Sequence, residues 1–256
     1  MNENPIYFIG AGPGDVELIT VKGRRLLDEA DCIIYAGSLV NKELMDGCKA
    51  ELYDSAGMDL DEIIEVITDR HAKGEKIVRL HTGDPSIYGA IREQMQRLDS
   101  FDIEYYVVPG VTSAAGAAAS LKAELTLPEV SQTVIITRQE GRTPVPEPER
   151  LRTLASHQAT MMIFLSVSMI DKVTDELIEG GYPESTPVVV VEKATWKDEK
   201  IVRGTVADIG DKVRKQDIRK TAMICVGKVF AVGQIQAESK LYDRTFSHGT
   251  RLARNS

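Results

Sequence analysis

A short apolar run, Ile77-Val78-Arg79-Leu80, leads directly into His81-Thr82-Gly83-Asp84-Pro85-Ser86-Ile87-Tyr88-Gly89, and apolar side chains recur beyond it at Ile87, Ile91, Met95 and Leu98. The first pattern suits a buried strand; the second, spaced i, i+4, i+8, i+11, suits one face of a helix. Between them Gly83 permits close backbone approach, Asp84 offers an acceptor, and Pro85 suits the first turn of a helix. Open α/β sheets bind small molecules at such turns, beyond the carboxyl ends of their strands. The same residues also suit an ordinary strand-to-helix turn with Asp84 as N-cap.

The grammar repeats through the first half. Strands are expected at 5–9, 32–35, 51–53, 77–80 and 103–108, and helices at 20–30 and 42–46, then a longer one carrying Ile63, Ile64, Ile67 and Ala72 with Gly74 as the stop, and one carrying Ile87 to Leu98. A second candidate ligand turn, Pro109-Gly110-Val111-Thr112-Ser113, precedes an almost all-Ala/Gly run at 114–120, whose helix has to pack its backbone closely against a neighbour. Strict alternation of strands and helices predicts a parallel-rich α/β domain. From 125 the pattern restarts, with strands at 133–137, 161–165, 187–191, 200–203 and 221–226. Helices are expected at 151–157 and 169–179, with a third capped by Thr205 and running to about 215. Short strand connections among helices predict a mixed-sheet α+β domain. We place the domains at 1–118 and 119–240, with a polar tail at 241–256 and a ligand cleft between the two domains. The proline-rich segment 138–148 suits a surface connection or a lid, in which Arg138 and Arg142 can pair with substrate carboxylates.

The glycine-rich Gly10-Ala11-Gly12-Pro13-Gly14-Asp15 invites comparison with a dinucleotide fingerprint, but Asp15 stands where the third glycine belongs, and no acid ends the strand at 32–35. A carboxylate inside the loop also repels a pyrophosphate. A flavin or nicotinamide oxidoreductase using Gly10 to Asp15 is therefore kept only as the alternative from another class. A net charge of −8 argues against a nucleic-acid partner. No apolar run approaches the roughly 18 residues of a membrane span, and polar Asn2-Glu3-Asn4 opens the chain, so a cytoplasmic protein is expected. Cys32, Cys48 and Cys225 and the four histidines, His71, His81, His157 and His248, lack metal-ligand spacing, so no metal is expected. His81 can be a base, although a histidine ending a buried strand is more often structural. There is neither a Gly-x-Ser-x-Gly elbow nor a P-loop lysine. What remains is a set of nearly uncharged turns suited to gripping an adenosine and an amino-acid tail. Methyl transfer from a sulfonium asks for alignment rather than an acid or a metal.

Gly10-Ala11-Gly12-Pro13-Gly14-Asp15, Thr82-Gly83-Asp84-Pro85 and Val108-Pro109-Gly110-Val111-Thr112-Ser113, in that order, resemble the tetrapyrrole methyltransferases of cobalamin and siroheme synthesis, with coverage from Ile6 to about Val232. Leu125-Thr126-Leu127-Pro128, the stretch from Thr137 to Pro146 and Glu192-Lys193-Ala194-Thr195-Trp196 look most like the branch that methylates precorrin-4 at C-11. Uroporphyrinogen-type members carry an arginine where Ala90 stands, which points away from C-2 and C-7 methylation. The resemblance implies two α/β domains, usually a homodimer, with S-adenosylmethionine in the cleft and S-adenosylhomocysteine as product. It implies cofactor contacts from Pro13, Gly83, Asp84, Pro85, Ile87, Tyr88, Thr112 and Ser113, and from the second domain Leu165, Ala194, Ala222 and Met223. Gly12, Gly14 and Asp15 are implied to face the tetrapyrrole, whose carboxylates we expect Arg138, Arg142 and Lys193 to hold. Asp15 and Glu93 are the weak candidates for any catalytic base. A non-catalytic tetrapyrrole carrier is a further alternative, and diphthamide precursors or ribosomal RNA are other methyl acceptors of the same fold.

Overall fold

The computed structural model describes residues 4–231, 233, 239–240, 245–247 and 249–252. Asn2, Glu3, Val232, His248 and most of the expected tail lie outside the described residues. The chain divides into two compact units, Met1–Gly116 with Lys193–Asp198, and Ala117–Glu192 with Glu199–Ser256.

Unit one contains strands Ile6–Gly10 (β1), Cys32–Tyr35 (β2), Glu51–Asp54 (β3), Ile77–His81 (β4) and Tyr105–Val108 (β5), with helices Val21–Asp28 (α1), Leu60–Ala72 (α2) and Arg92–Asp99 (α3). The five strands form one sheet in the order β3-β2-β4-β1-β5, and every pair is parallel. β1, β2 and β4 read as near-continuous apolar runs because helices cover both faces of a parallel sheet. Ile9, Val78 and Leu80 pack with Leu26 and Leu27 of α1 on one face. Ile6, Phe8, Ile34 and Ile77 pack with Ile64, Ile67 and Leu98 on the other. Thr20 caps α1 by accepting from Gly23 N, and a reciprocal capping box of Asp59 and Glu62 opens α2. The expected helix at 42–46 is a short 3-10 turn, Lys42–Met45.

One expectation fails at the turn that matters most. α3 begins at Arg92 rather than at Ile87. Residues 85–88 form a turn, with Tyr88 (φ 56°) and Ala90 (φ 48°) in the left-handed region. Asp84 takes the Ser86 N–H at 2.8 Å, closing a side-chain turn, and a left-handed residue cannot continue a right-handed helix.

Helix Ser113–Leu121 (α4) contains the division between the units. Unit two contains strands Val134–Arg138 (β6), Thr160–Phe164 (β7), Pro187–Glu192 (β8), Lys200–Thr205 (β9) and Ala222–Val226 (β10), with helices Leu151–Ala155 (α5), Ile170–Glu179 (α6) and Ile209–Lys215 (α7). Its sheet order is β6-β7-β10-β8-β9, with β6 and β7 parallel and the other pairs antiparallel. Met161, Ile163, Val188, Val190 and Ile224 pack with Val173 and Leu177 of α6 and Ile209 and Val213 of α7. Thr205 does not cap α7. It pairs with Pro187 at the end of β9, and Asp208 stands before the helix, its carboxylate accepting Thr205 N at 2.7 Å.

Candidate functional site

Because β1 lies between β4 and β5, the three turns singled out in the sequence leave neighbouring strands at the same end of the unit-one sheet. Glycine is what lets them meet. A Cβ on Gly10 would lie 2.5 Å from Gly110 Cα, and one on Gly110 would lie 2.1 Å from Gly83 O. Gly83 (φ 62°) donates to Gly12 O at 2.8 Å and accepts from Gly12 N at 3.3 Å. Asp84 spends both carboxylate oxygens on main chain: Oδ1 on Ser86 N at 2.8 Å and Oδ2 on Gly110 N at 2.9 Å. Gly83 also faces Ser113, since a Cβ there would sit 3.5 Å from Ser113 N. Gly10, Gly12, Gly83 and Gly110 thus serve mutual approach of main chain, and Asp84 ties two of the turns together.

The glycine-rich loop is gripped from a distant stretch of sequence. Trp196 Nε1 donates to Pro13 O at 2.9 Å, Asp15 N donates to Thr195 Oγ1 at 3.0 Å, and Asn41 Nδ2 donates to Gly14 O at 2.9 Å. Gly14 has no room for a side chain, because a Cβ would stand 1.9 Å from Trp196 Cδ1, and Gly116 likewise faces Pro13 at 2.7 Å. The tight backbone packing expected of the 114–120 run is met at Gly116. Asp15 turns its carboxylate to Glu17 N as a cap. The Gly12 and Asp15 N–H groups are both spent on protein acceptors, which removes two donors that a phosphate cradle would use.

Ala194 belongs to the Lys193–Asp198 segment, which groups with unit one and not with the second domain as expected. The segment leaves the β8–β9 hairpin, and its Thr195 and Trp196 side chains hold the loop at 13–15. Pro13, Gly83, Asp84, Thr112, Ser113 and Ala194 are therefore brought into one unit, with Pro85, Ile87 and Tyr88 on the adjoining turn. In unit two, Leu165 follows β7 directly, and Ala222 and Met223 open β10, the strand that pairs antiparallel with β7. Leu165 is 66% exposed at φ 54°, whereas Met223 is buried.

The expected substrate cations fare differently. Arg138 donates to Thr143 O at 3.1 Å and Pro144 O at 2.8 Å, so its guanidinium staples the 138–148 loop to itself. Lys193 pairs with Asp198 and lies 5.7 Å over the Trp196 ring. Arg142 is exposed. Glu93 is exposed on the first turn of α3. His81 is buried, and burial together with neighbouring Arg79 pushes its pKa down to about 3, so at neutral pH it is an uncharged ring beside Phe8 rather than a proton carrier. Among the described residues no group of three or more His, Cys, Asp or Glu is placed to hold a metal, and no helix is long and apolar enough to cross a membrane. Sequence reasoning missed Asn41, whose hold on Gly14 O carries no local signal.

Residues 5–210 match the model of the tetrapyrrole (corrin/porphyrin) methylases. Over 252 residues, 98% of this chain and 97% of the relative, the chain is 61% identical to a cobalt-precorrin-4 C(11)-methyltransferase of Methanocaldococcus jannaschii. The X-ray structure of a cobalamin biosynthetic enzyme, a cobalt precorrin-4 methyltransferase, is similar at TM-score 0.86 and 52% identity, covering 89% of this chain and 96% of that one. A uroporphyrin-III C-methyltransferase from Thermus thermophilus, complexed with S-adenosyl homocysteine, is similar at TM-score 0.74 and 28% identity, covering 91% and 97%.

Proposed function

Because the chain belongs to the tetrapyrrole (corrin/porphyrin) methylase family, we propose that it is an S-adenosylmethionine-dependent C-methyltransferase that methylates C-11 of precorrin-4, cobalt-bearing or metal-free, in cobalamin synthesis. The observation that carries this within the molecule is the meeting of three glycine-bearing turns at neighbouring strand ends, with hydroxyls at Thr112 and Ser113 beside them. The high identity to a relative named for C-11 methylation carries the choice of ring position.

The residues fit the donor. Among Pro13, Gly83, Asp84, Pro85, Ile87, Tyr88, Thr112, Ser113, Leu165, Ala194, Ala222 and Met223 there is no cation, and Asp84 supplies the one carboxylate. Such a set tolerates a sulfonium and offers nothing to a pyrophosphate. Tyr88 and Leu165 hold exposed side chains on left-handed backbone, at a cost of roughly 1–2 kcal/mol per residue, which supports this assignment of both. When bound, S-adenosylmethionine supplies an activated methyl group.

The chain's own part is positional. Asp84 and the glycine contacts set the turns, main-chain groups and hydroxyls orient the bound nucleoside, and Tyr88 offers it an exposed aromatic face. Trp196, Thr195 and Asn41 hold the loop at 12–15 in the shape offered to the macrocycle. Of the three cations weighed for its carboxylates, Arg142 is the one we retain, since Arg138 and Lys193 have partners within the protein. We assign no catalytic base. The same proposal makes the protein a homodimer, as the family resemblance implies.

The test is mass spectrometry of precorrin-4 and cobalt-precorrin-4 incubated with a labelled methyl donor. One added methyl group, placed at C-11 by fragmentation or NMR, is expected. A macrocycle recovered unchanged in mass, with the donor intact, would make a carrier the better description, and oxidation of reduced nicotinamide would favour the oxidoreductase.

A further inference from the structure

Alternation along β4 puts Arg79 on the same face of the sheet as Ile77 and His81, among apolar side chains. Arg79 is 5% exposed, and among the described residues no carboxylate pairs with it. Burial alone pulls its pKa down to about 10. A buried, unpaired guanidinium is costly, and a valine or isoleucine would fill a strand position there at no such cost. Its donors are used in a particular way. Nε donates to Gln94 Oε1 at 3.1 Å, and a terminal nitrogen donates to Ile34 O at 3.2 Å. Gln94, 4% exposed on α3, donates in turn from Nε2 to Ala90 O at 3.0 Å. Ala90 and Tyr88 are the two left-handed residues of the turn after Asp84.

We propose that Arg79 and Gln94 are positioning residues for the cofactor turn, a buried relay from guanidinium to amide to carbonyl that holds Ala90 and so fixes Ile87 and Tyr88 against the nucleoside. The inference rests on the assignment of the 83–88 turn to S-adenosylmethionine made above. Its chemistry is specific. The glutamine amide both accepts from Arg79 and donates to a carbonyl; glutamate of the same length, ionised, does the first alone, and leucine does neither. The turn needs such an anchor because its backbone conformation is unfavourable for non-glycine residues.

The test separates positioning from folding. Gln94→Glu gives Arg79 a charged partner and deprives Ala90 O of its donor, so the variant should melt at or above the parent temperature and yet bind S-adenosylhomocysteine about tenfold more weakly by calorimetry. A purely structural Gln94 predicts the reverse, unchanged affinity whatever the melting temperature. Binding within twofold of the parent overturns the proposal. Should Gln94→Glu fail to fold, Arg79→Lys decides by the same readout: it keeps the charge but reaches only one of the two acceptors. If the unsubstituted protein fails to bind S-adenosylhomocysteine, the cofactor assignment falls first, and that failure is recognisable because it precedes any substitution.

Discussion

The carboxylate of Asp84 accepts the main-chain N–H of Gly110 at 2.9 Å, joining the turn after β4 to the turn after β5, 26 residues further along the chain. Its other oxygen holds Ser86 N. In Asp84→Ala both N–H groups lose a charged acceptor, each worth roughly 1.5–3 kcal/mol. The variant should bind S-adenosylhomocysteine too weakly to detect by calorimetry. Asp84→Asn keeps one acceptor and turns an NH₂ toward the other N–H, so it should fall between. An alanine variant with parental affinity would mean that the turns are held, and the nucleoside bound, by something else.

Gly10 and Gly110 are in main-chain contact, and neither has positive φ, so any effect of alanine there reads steric exclusion alone. Gly10→Ala and Gly110→Ala should each lower stability by about 3 kcal/mol or more in urea unfolding, beyond the usual cost of overpacking, because the atoms met are backbone. Gly57→Ala, with nothing within 4 Å of the added carbon, is the control and should stay within about 0.5 kcal/mol of the parent.

His81 has its Nε2 buried without a hydrogen-bond partner, and its pKa in the folded protein is about 3 against an ordinary 6.5. Between those values the unfolded chain takes up a proton that the folded one refuses. Stability tied to His81 is therefore complete above pH 6.5 and is lost as pH falls toward 3, with a slope approaching about 1.4 kcal/mol per pH unit. Urea midpoints at pH 6.5, 5.5 and 4.5 should fall more steeply for the parent than for His81→Gln. Parallel slopes would show that the ring is solvated or protonated in the fold.

Much of this architecture was legible before any coordinates, and the exceptions share a cause. β1, β2, β4, α1 and α2 follow from apolar runs and apolar period, with Gly74 as the stop of α2. The helix expected from Ile87 was misplaced because Ile87, Ile91 and Met95 keep helical spacing straight through a turn. Apolar period reports which residues are buried, whereas here Asp84 captures Ser86 N and the left-handed backbone at Tyr88 and Ala90 breaks the helix. Thr205 misled in the same way, being a good cap by type but held in a strand pair with Pro187. The three ligand turns were visible by motif, but the reason for their glycines was not. Strand order decides that Gly10, Gly83 and Gly110 touch, and local sequence carries no strand order. The contact between Trp196 and Pro13, 183 residues apart, is unreadable for the same reason.

That contact supplies the last prediction. Trp196 does two things for the glycine-rich loop: its ring occupies the space a side chain at Gly14 would need, and its Nε1 holds Pro13 O. Trp196→Phe keeps most of the ring and loses one hydrogen bond, which should cost about 1 kcal/mol of stability and little turnover. Trp196→Ala leaves a cavity against Gly14, frees Pro13 O, and should cost about 3–5 kcal/mol, the range for truncating a packed aromatic. If the loop at 12–15 meets the macrocycle, the alanine variant should also raise KM for the tetrapyrrole several-fold while its affinity for S-adenosylhomocysteine, measured by calorimetry, changes much less. Loss of nucleoside affinity with an unaltered tetrapyrrole KM would transfer the loop from the substrate to the cofactor.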